Sequence, residues 1–327
     1  MKSIQSKCFY SLRLDMFSKT LILILCRLIF LTILFLSTFY LFKVNIFLAF
    51  ITYYLYCISW NFWGWVGLGH EMVHMNPFKS KDLNKLFLIL CGVLTLSNWN
   101  LFSKTHFLHH KDPHGKNDFE SPSKFGTQNF IDYQYSLLNF IFDLNKFKNT
   151  FKYLFLNSFN VIPKKNLELF LKKRNFINSI AYSSKVILFY VFIIFFLSFY
   201  LKSLILIFIL FLPNFLGTNL VKNLARLQHP SQSVLHAMGI NYIQYRGKGV
   251  ILEKFNDEFL EDYLDIKLPN IITFLYASMN YHATHHLNIN VPFYKLKYKS
   301  KENYNSGRIG LIRLNLRNLL ILNLRSF

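Results

Sequence analysis

Charge is scarce in this chain, and acid scarcer still. Of 327 residues only 16% are charged, against about 25% in an ordinary soluble domain. Asp and Glu together number 16, beside 37 Lys and Arg. The four cysteines, Cys8, Cys26, Cys57 and Cys91, form no C-x-x-C pair. That excludes a thioredoxin-type redox motif, a zinc ribbon and a disulfide framework. Cys26, Cys57 and Cys91 sit in apolar runs and read as small buried hydrophobes. There is no G-x-G-x-x-G loop: Gly64, Gly67 and Gly69 end an apolar run at the wrong spacing. The chain therefore carries no dinucleotide site of its own. No signal peptide is expected, because the first apolar run is too long and lacks a small-residue cleavage site. Internal repeats and low-complexity tracts are also missing.

What is abundant is apolar and aromatic surface: 53% hydrophobic residues, 37 Phe and 19 Tyr, and a mean hydropathy of +0.26. Four runs approach the ~20 residues that a bilayer core requires. They are residues 20–42, 46–66, 180–200 and 203–220, paired into two hairpins by very short turns. Arg27 falls inside the first, where it either snorkels or marks the true start of the span. A fifth run, residues 85–102, has an apolar heart of only about twelve residues, a length that favours a re-entrant or interfacial helix, and Asn84, Asn98 and Asn100 interrupt or flank it. The expected architecture is all-α and membrane-integral: four transmembrane helices as two hairpins, the re-entrant helix, and a cytosolic helical cap. The domains expected are a cytosolic segment 1–19, a membrane domain 20–300 and a basic tail 301–327.

A net charge of +21 and a pI near 9.7 suggest nucleic-acid binding at first sight. The basic residues flank apolar spans instead, where they set topology and attract anionic lipid. The two short turns carry one each, Lys43 and Lys202, whereas residues 103–178 carry twelve. The positive-inside rule then places both termini and the long connection in the cytosol. Trp60, Trp63 and Trp65 suit an interfacial aromatic belt at the end of the second span. Residues 151–174 read as a surface amphipathic segment. Residues 253–265 hold six of the sixteen acids and read as a soluble helix with an acidic face.

Eight of the eleven histidines fall in three clusters. His70 and His74 form H-x-x-x-H. His106, His109 and His110 form H-x-x-H-H, and His282, His285 and His286 repeat it. Residues three and four apart share a helix face, so each cluster presents two or three imidazoles in one direction. Imidazoles beside lipid are costly unless they function. Imidazole suits Zn, Cu, Fe and Ni, and eight ligands exceed the capacity of one ion, so two are implied. His70-Glu71-Met72-Val73-His74 also fits the zinc-protease string H-E-x-x-H, but that reading leaves the other six imidazoles unexplained. Under the four-span topology all three clusters meet at one membrane face. A non-catalytic metal-binding or transport protein would instead want polar sites spaced within the spans.

The three clusters, in this order and spacing, resemble the membrane fatty acid desaturase and hydroxylase superfamily, most nearly its bacterial desaturases. The likeness extends through Gly69-His70-Glu71 to Phe78, Leu83-Asn84, Trp99-Asn100 and Phe102. It continues in Met279-Asn280-Tyr281-His282, His285-His286-Leu287 and Val291-Pro292-Phe293-Tyr294, covering roughly residues 45–296. The resemblance implies two iron ions with O2 as co-substrate, and adds His229, in Gln228-His229-Pro230, to the ligands. It suggests Glu71, Asp118, Glu120 and Asn280 as residues that hold ligand imidazoles. His114 and His236 match no ligand position. It implies a lipid or acyl substrate and an external electron donor, a ferredoxin or small cytochrome with its reductase. A hydroxylase or ketolase acting on carotenoid or another hydrocarbon belongs to the same superfamily. Asn288-Ile289-Asn290 and Thr284 depart from its usual pattern.

Overall fold

The computed structural model describes residues 16–111, 120, 141–161, 174–226, 264–307 and 309–313. The described chain is mainly helical. Helix α1, Met16–Val44, and α2, Ile46–Asn61, are joined by Asn45 alone and pack side by side as an antiparallel hairpin. Asn45 makes the reversal possible: its side-chain oxygen caps α2 by accepting from Phe47 N and Leu48 N. A short α3, Leu68–Val73, leads to α4, Lys81–Leu94, and α5, Trp99–Lys111. Helix α6, Leu144–Ser158, packs against α7, Arg174–Tyr200. A broken apolar segment then leads to α8, Thr218–Arg226. The last part comprises β1, Leu264–Lys267, α9, Asn270–Leu275, α10, His282–Leu287, α11, Phe293–Asn305, and β2, Gly310–Arg313. The strands pair in parallel, Leu264 opposite Gly310.

Among the described residues two helices, α1 from Lys19 and α7, are long and apolar enough to cross a membrane, and α4 with α5, bent by 111°, makes a third if the pair is one span. This is a membrane protein whose α7 turns phenylalanines outward: Phe189, Phe192, Phe196 and Phe199 are exposed. The bend between α4 and α5 is that of a broken span or of a re-entrant loop. Its polar residues are used: Asn98 Nδ2 donates to Ile180 O (2.9 Å) and Ser184 Oγ (2.8 Å), and Asn100 Nδ2 to Ser179 O. Asparagines at the bend thus tie the start of α5 to the start of α7.

The four-helix expectation needs correcting at two places. Helix α2 ends at Asn61, and its 16 residues span only about 24 Å at 1.5 Å each. Residues 203–220, expected as one helix, instead run through a π-helix, Ile207–Phe211, and a 3-10 turn, Leu212–Asn214. Pro213 explains this. It has no N–H to give, and Leu212 N–H reaches back five residues to Ile207 O. Carbonyls bordering lipid cannot be left bare, and α2 supplies what is missing. Tyr53 OH donates to Phe208 O (2.8 Å), Tyr56 OH to Ile209 O (2.9 Å), and Asn61 Nδ2 to Pro213 O (2.8 Å).

Further expectations change. Trp60 and Trp63 are buried, with Trp60 Nε1–H bonded to Asn214 Oδ1, and Trp65 stacks on Phe102. They serve the protein core, where a buried indole N–H requires a partner, and not an interfacial belt. Arg27 neither snorkels nor precedes the span: it is 3% exposed and donates to Phe274 O. Cys57 and Cys91 are buried as expected, but Cys26 lies on the exposed face of α1. Asp265 lies on β1, not on a helix, and the rest of that acidic segment lies outside the described residues. The tail expected from residue 301 begins inside α11.

Candidate metal centre

Each histidine cluster reaches the centre by a different local device. After α2, the backbone folds back on itself: Leu68 N–H bonds Phe62 O, and Gly69 N–H bonds both Trp63 O and Gly64 O, each at 3.0 Å. Only glycine fits at residue 67, where a Cβ would meet Phe62 O at 2.1 Å. The turn launches α3, which carries His70 and ends at its C-cap His74, one turn on. Beyond it, buried Asn84 ties the descending chain together: its Nδ2 donates to Met75 O and Phe78 O, while its Oδ1 accepts from Phe78 N.

The second cluster rides on α5, whose start is pinned to α7 by Asn98. The third is set by β1. Ile266 N–H bonds Asn280 O at 2.8 Å, and Asn280 Nδ2 donates to Ile266 O. Ala277 and Ser278 both adopt left-handed φ (54° and 59°) to turn the chain from α9 toward α10. Asp265 then holds α10 directly. Its Oδ1 accepts from Thr284 N–H at 2.9 Å, and Oδ2 accepts from Thr284 Oγ1.

These devices bring all eight cluster imidazoles together. Their Nε2 atoms face one another: His74 to His106 at 2.8 Å, His74 to His285 at 3.0 Å, His110 to His106 at 3.0 Å and His70 to His285 at 3.2 Å. A second group follows, His286 to His282 at 2.9 Å and His109 to His286 at 3.2 Å. The ligand atoms thus form two sets, His70, His74, His106, His110 and His285, then His109, His282 and His286, each within 4.8 Å. Two nitrogens at ~2.1 Å from one ion, a right angle apart, stand about 3 Å from each other. The observed separations equal the edges that such a shell would have.

Protonation agrees. Burial and neighbouring imidazoles hold His70 and His285 well below the usual imidazole range, and burial brings His74 down to about 4. All three are neutral near pH 7, the form that ligates a metal. Two outer ring nitrogens have acceptors: His70 Nδ1 lies 3.2 Å from Trp65 O and His106 Nδ1 2.8 Å from Glu120 Oε2, while His285 Nδ1 lies beside Glu71 Oε1 at 3.4 Å without a hydrogen bond. Such outer contacts fix the tautomer and ring orientation of a ligand. Thr105 Oγ1 steadies Glu120 from the other side, donating to Oε1 at 3.2 Å.

Of the acids and amide named from sequence, Glu71 and Glu120 thus face ligand imidazoles, whereas Asn280 braces β1. His229 and Asp118 lie outside the described residues. The sequence reading did not anticipate Trp65 O or Asp265. A backbone acceptor leaves no trace in side-chain identity, and Asp265 lies nineteen positions before the threonine it holds.

The fatty acid desaturase family profile matches residues 44–305. The chain belongs to the fatty acid desaturase family. The match spans all three histidine clusters and ends at the close of α11; α1 lies almost wholly before it. Comparison with individually curated proteins finds no match. Membership makes this desaturase-family protein an oxidoreductase associated with lipid and membrane, and its histidine sets are of the kind that can hold metal.

Proposed function

We propose that this chain is an O2-dependent, di-iron lipid acyl desaturase that introduces a double bond with electrons from an external donor. One observation carries the reading: eight imidazoles in two sets, with Nε2 atoms converging at 2.8–3.2 Å, in a chain of the desaturase family. His70, His74, His106, His110 and His285 would hold one ion. His109, His282 and His286, with His229, would hold the other.

The chemistry a bound iron pair supplies is activation of O2 toward an unactivated C–H bond, which no side-chain acid or base can attack. The acyl chain would lose two hydrogens, and O2 would leave as two waters, taking two further electrons from the donor and two protons from solvent. The protein's part is to keep the imidazoles neutral and aligned. Trp65 O and Glu120 hold the outer nitrogens of His70 and His106, so that these two Nε2 lone pairs are directed inward. Burial of His106, His109 and His285 excludes bulk water from the centre.

The apolar outer faces of α1 and α7 suit a substrate drawn from the bilayer. The net charge of +21 suits an acidic ferredoxin or cytochrome. The protein would be multi-pass, with both termini and the metal centre in the cytosol. Lipid mass spectrometry of a host expressing the chain tests the reaction. Lipids lighter by two hydrogens support desaturation. Gain of an oxygen atom points to the hydroxylase or ketolase alternative, and no change in a host with a working donor contradicts both.

A further inference from the structure

An arginine buried inside a membrane helix is expensive unless it is used. Arg27 lies about three turns into α1 and is 3% exposed. It spends one nitrogen on a main-chain oxygen, Nη2 to Phe274 O, while Nε and Nη1 have no hydrogen-bond partner. Its guanidinium carbon sits 5.4 Å from the Phe274 ring and 5.7 Å from the Phe293 ring. Both phenylalanines flank the third histidine cluster, one on α9 before it and one opening α11 after it.

The contacts continue inward. Phe293 N–H donates to Glu71 Oε2 at 3.0 Å. Glu71 is wholly buried, next to His70 in the chain. The other carboxylate oxygen faces His285 Nδ1 at 3.4 Å. A path therefore runs from the first membrane helix, through the segments on either side of the third cluster, to one acid and one ligand imidazole. Helix α1 precedes residue 44, so the matched family region does not contain the residue at the head of this path.

We propose that Arg27 is a positioning residue for the metal centre: by holding Phe274 and Phe293, whose N–H in turn holds Glu71, it fixes the carboxyl group beside His285. A buried cation explains features that packing alone does not. A methionine or leucine would fill the same space between two aromatic rings without stranding two N–H groups. The guanidinium offers what those lack, a donor to the α9 main chain and a cation against two aromatic rings. Arginine also has the planar fork that can lie against aromatic rings while directing a nitrogen elsewhere.

The proposal rests on the metal-centre reading above, and the test separates the two. Purified full-length protein, freed of metal, is titrated with Co(II), read by its ligand-field absorption, for wild type, Arg27→Met, Arg27→Lys, Glu71→Gln and Arg27→Met/Glu71→Gln. If the wild-type chain takes up no cobalt, the metal-centre reading fails. Given wild-type uptake, Arg27→Met is expected to weaken cobalt binding ten- to a hundredfold and to shift the absorption bands. Arg27→Lys, which keeps the charge, is expected to recover part of both. In the Glu71→Gln background, Arg27→Met is expected to add less than a further threefold, because the two residues act along one path. Unchanged affinity and bands in both Arg27 variants overturn the proposal. So does a full, additive loss in the double variant, the signature of a structural role only. Should Arg27→Met fail to fold, Arg27→Lys alone and with Glu71→Gln gives the same comparison.

Discussion

Replacing Gly67 by alanine tests how the first histidine cluster is delivered. The added Cβ would stand 2.1 Å from Phe62 O and 3.0 Å from Phe62 C, both backbone atoms, and real Cβ contacts essentially never fall under 3.0 Å. The backbone must therefore yield by about 1 Å, three residues before His70. The same carbonyl receives the Leu68 N–H bond that starts α3, so the shift also costs that bond, about 1 kcal/mol. Overpacking of this kind adds about 1–3 kcal/mol. Metal ligands tolerate displacement of only about 0.2 Å, so the larger consequence falls on the centre. Gly67→Ala is expected to lose ten- to a hundredfold in Co(II) affinity, with helix content by circular dichroism close to wild type. Gly64→Ala is the control. Its Cβ would first meet Thr95 Oγ1 at 3.2 Å, a side-chain atom that can rotate away, and it is expected to bind cobalt within about threefold of wild type. Wild-type affinity in Gly67→Ala, or equal losses in the two variants, would refute the argument that this turn aims His70.

Other outcomes follow from the same contacts. Tyr53→Phe strands Phe208 O beside lipid and is expected to cost about 1–2 kcal/mol in detergent unfolding. The cost is expected to shrink in a Pro213→Ala background, where residue 213 regains an N–H; an equal cost in both backgrounds contradicts the account of the broken segment. Glu120→Ala removes the acceptor of His106 Nδ1 and is expected to cost ten- to a hundredfold in metal affinity, while Glu120→Gln, which keeps an acceptor, is expected to cost less; equal losses would count against an orienting role. The imidazoles of His70, His74 and His285 are neutral when folded and titrate near 6.5 when unfolded. The unfolded chain therefore binds more protons below that pH. Metal-free protein is expected to hold its stability above about pH 6.5 and to lose it as pH falls, by up to about 1.4 kcal/mol per pH unit per imidazole. A stability flat from pH 7 to 5 by chemical denaturation would contradict the burial of neutral histidines.

The features legible in the sequence were the local ones. Spacings of three and four place imidazoles on one helix face whatever surrounds them, and a twelve-residue apolar heart is too short to cross a bilayer wherever it sits. Convergence of the clusters followed from topology, and the structure brings all eight together although the last apolar segment is not the helix that topology assumed. That segment was misread because hydropathy does not register a missing N–H. Pro213 breaks the helix, and the hydroxyls that repair it lie some 150 positions earlier, on Tyr53 and Tyr56. The tryptophans were misassigned for a related reason. A Trp at the end of an apolar run looks the same whether lipid or protein covers it, and only the position of Asn214 decides. The links Glu71 to Phe293, Asp265 to Thr284 and Arg27 to Phe274 join residues up to 247 positions apart, beyond the reach of any local pattern.

The account stands on two metal ions shared among imidazoles. Iron content and X-ray absorption on protein purified under reducing, iron-replete conditions test it most directly. Two irons per chain, with scattering from imidazole nitrogen near 2.1 Å, is the expected result. One ion or none, or a shell of sulfur or of oxygen alone, would contradict it.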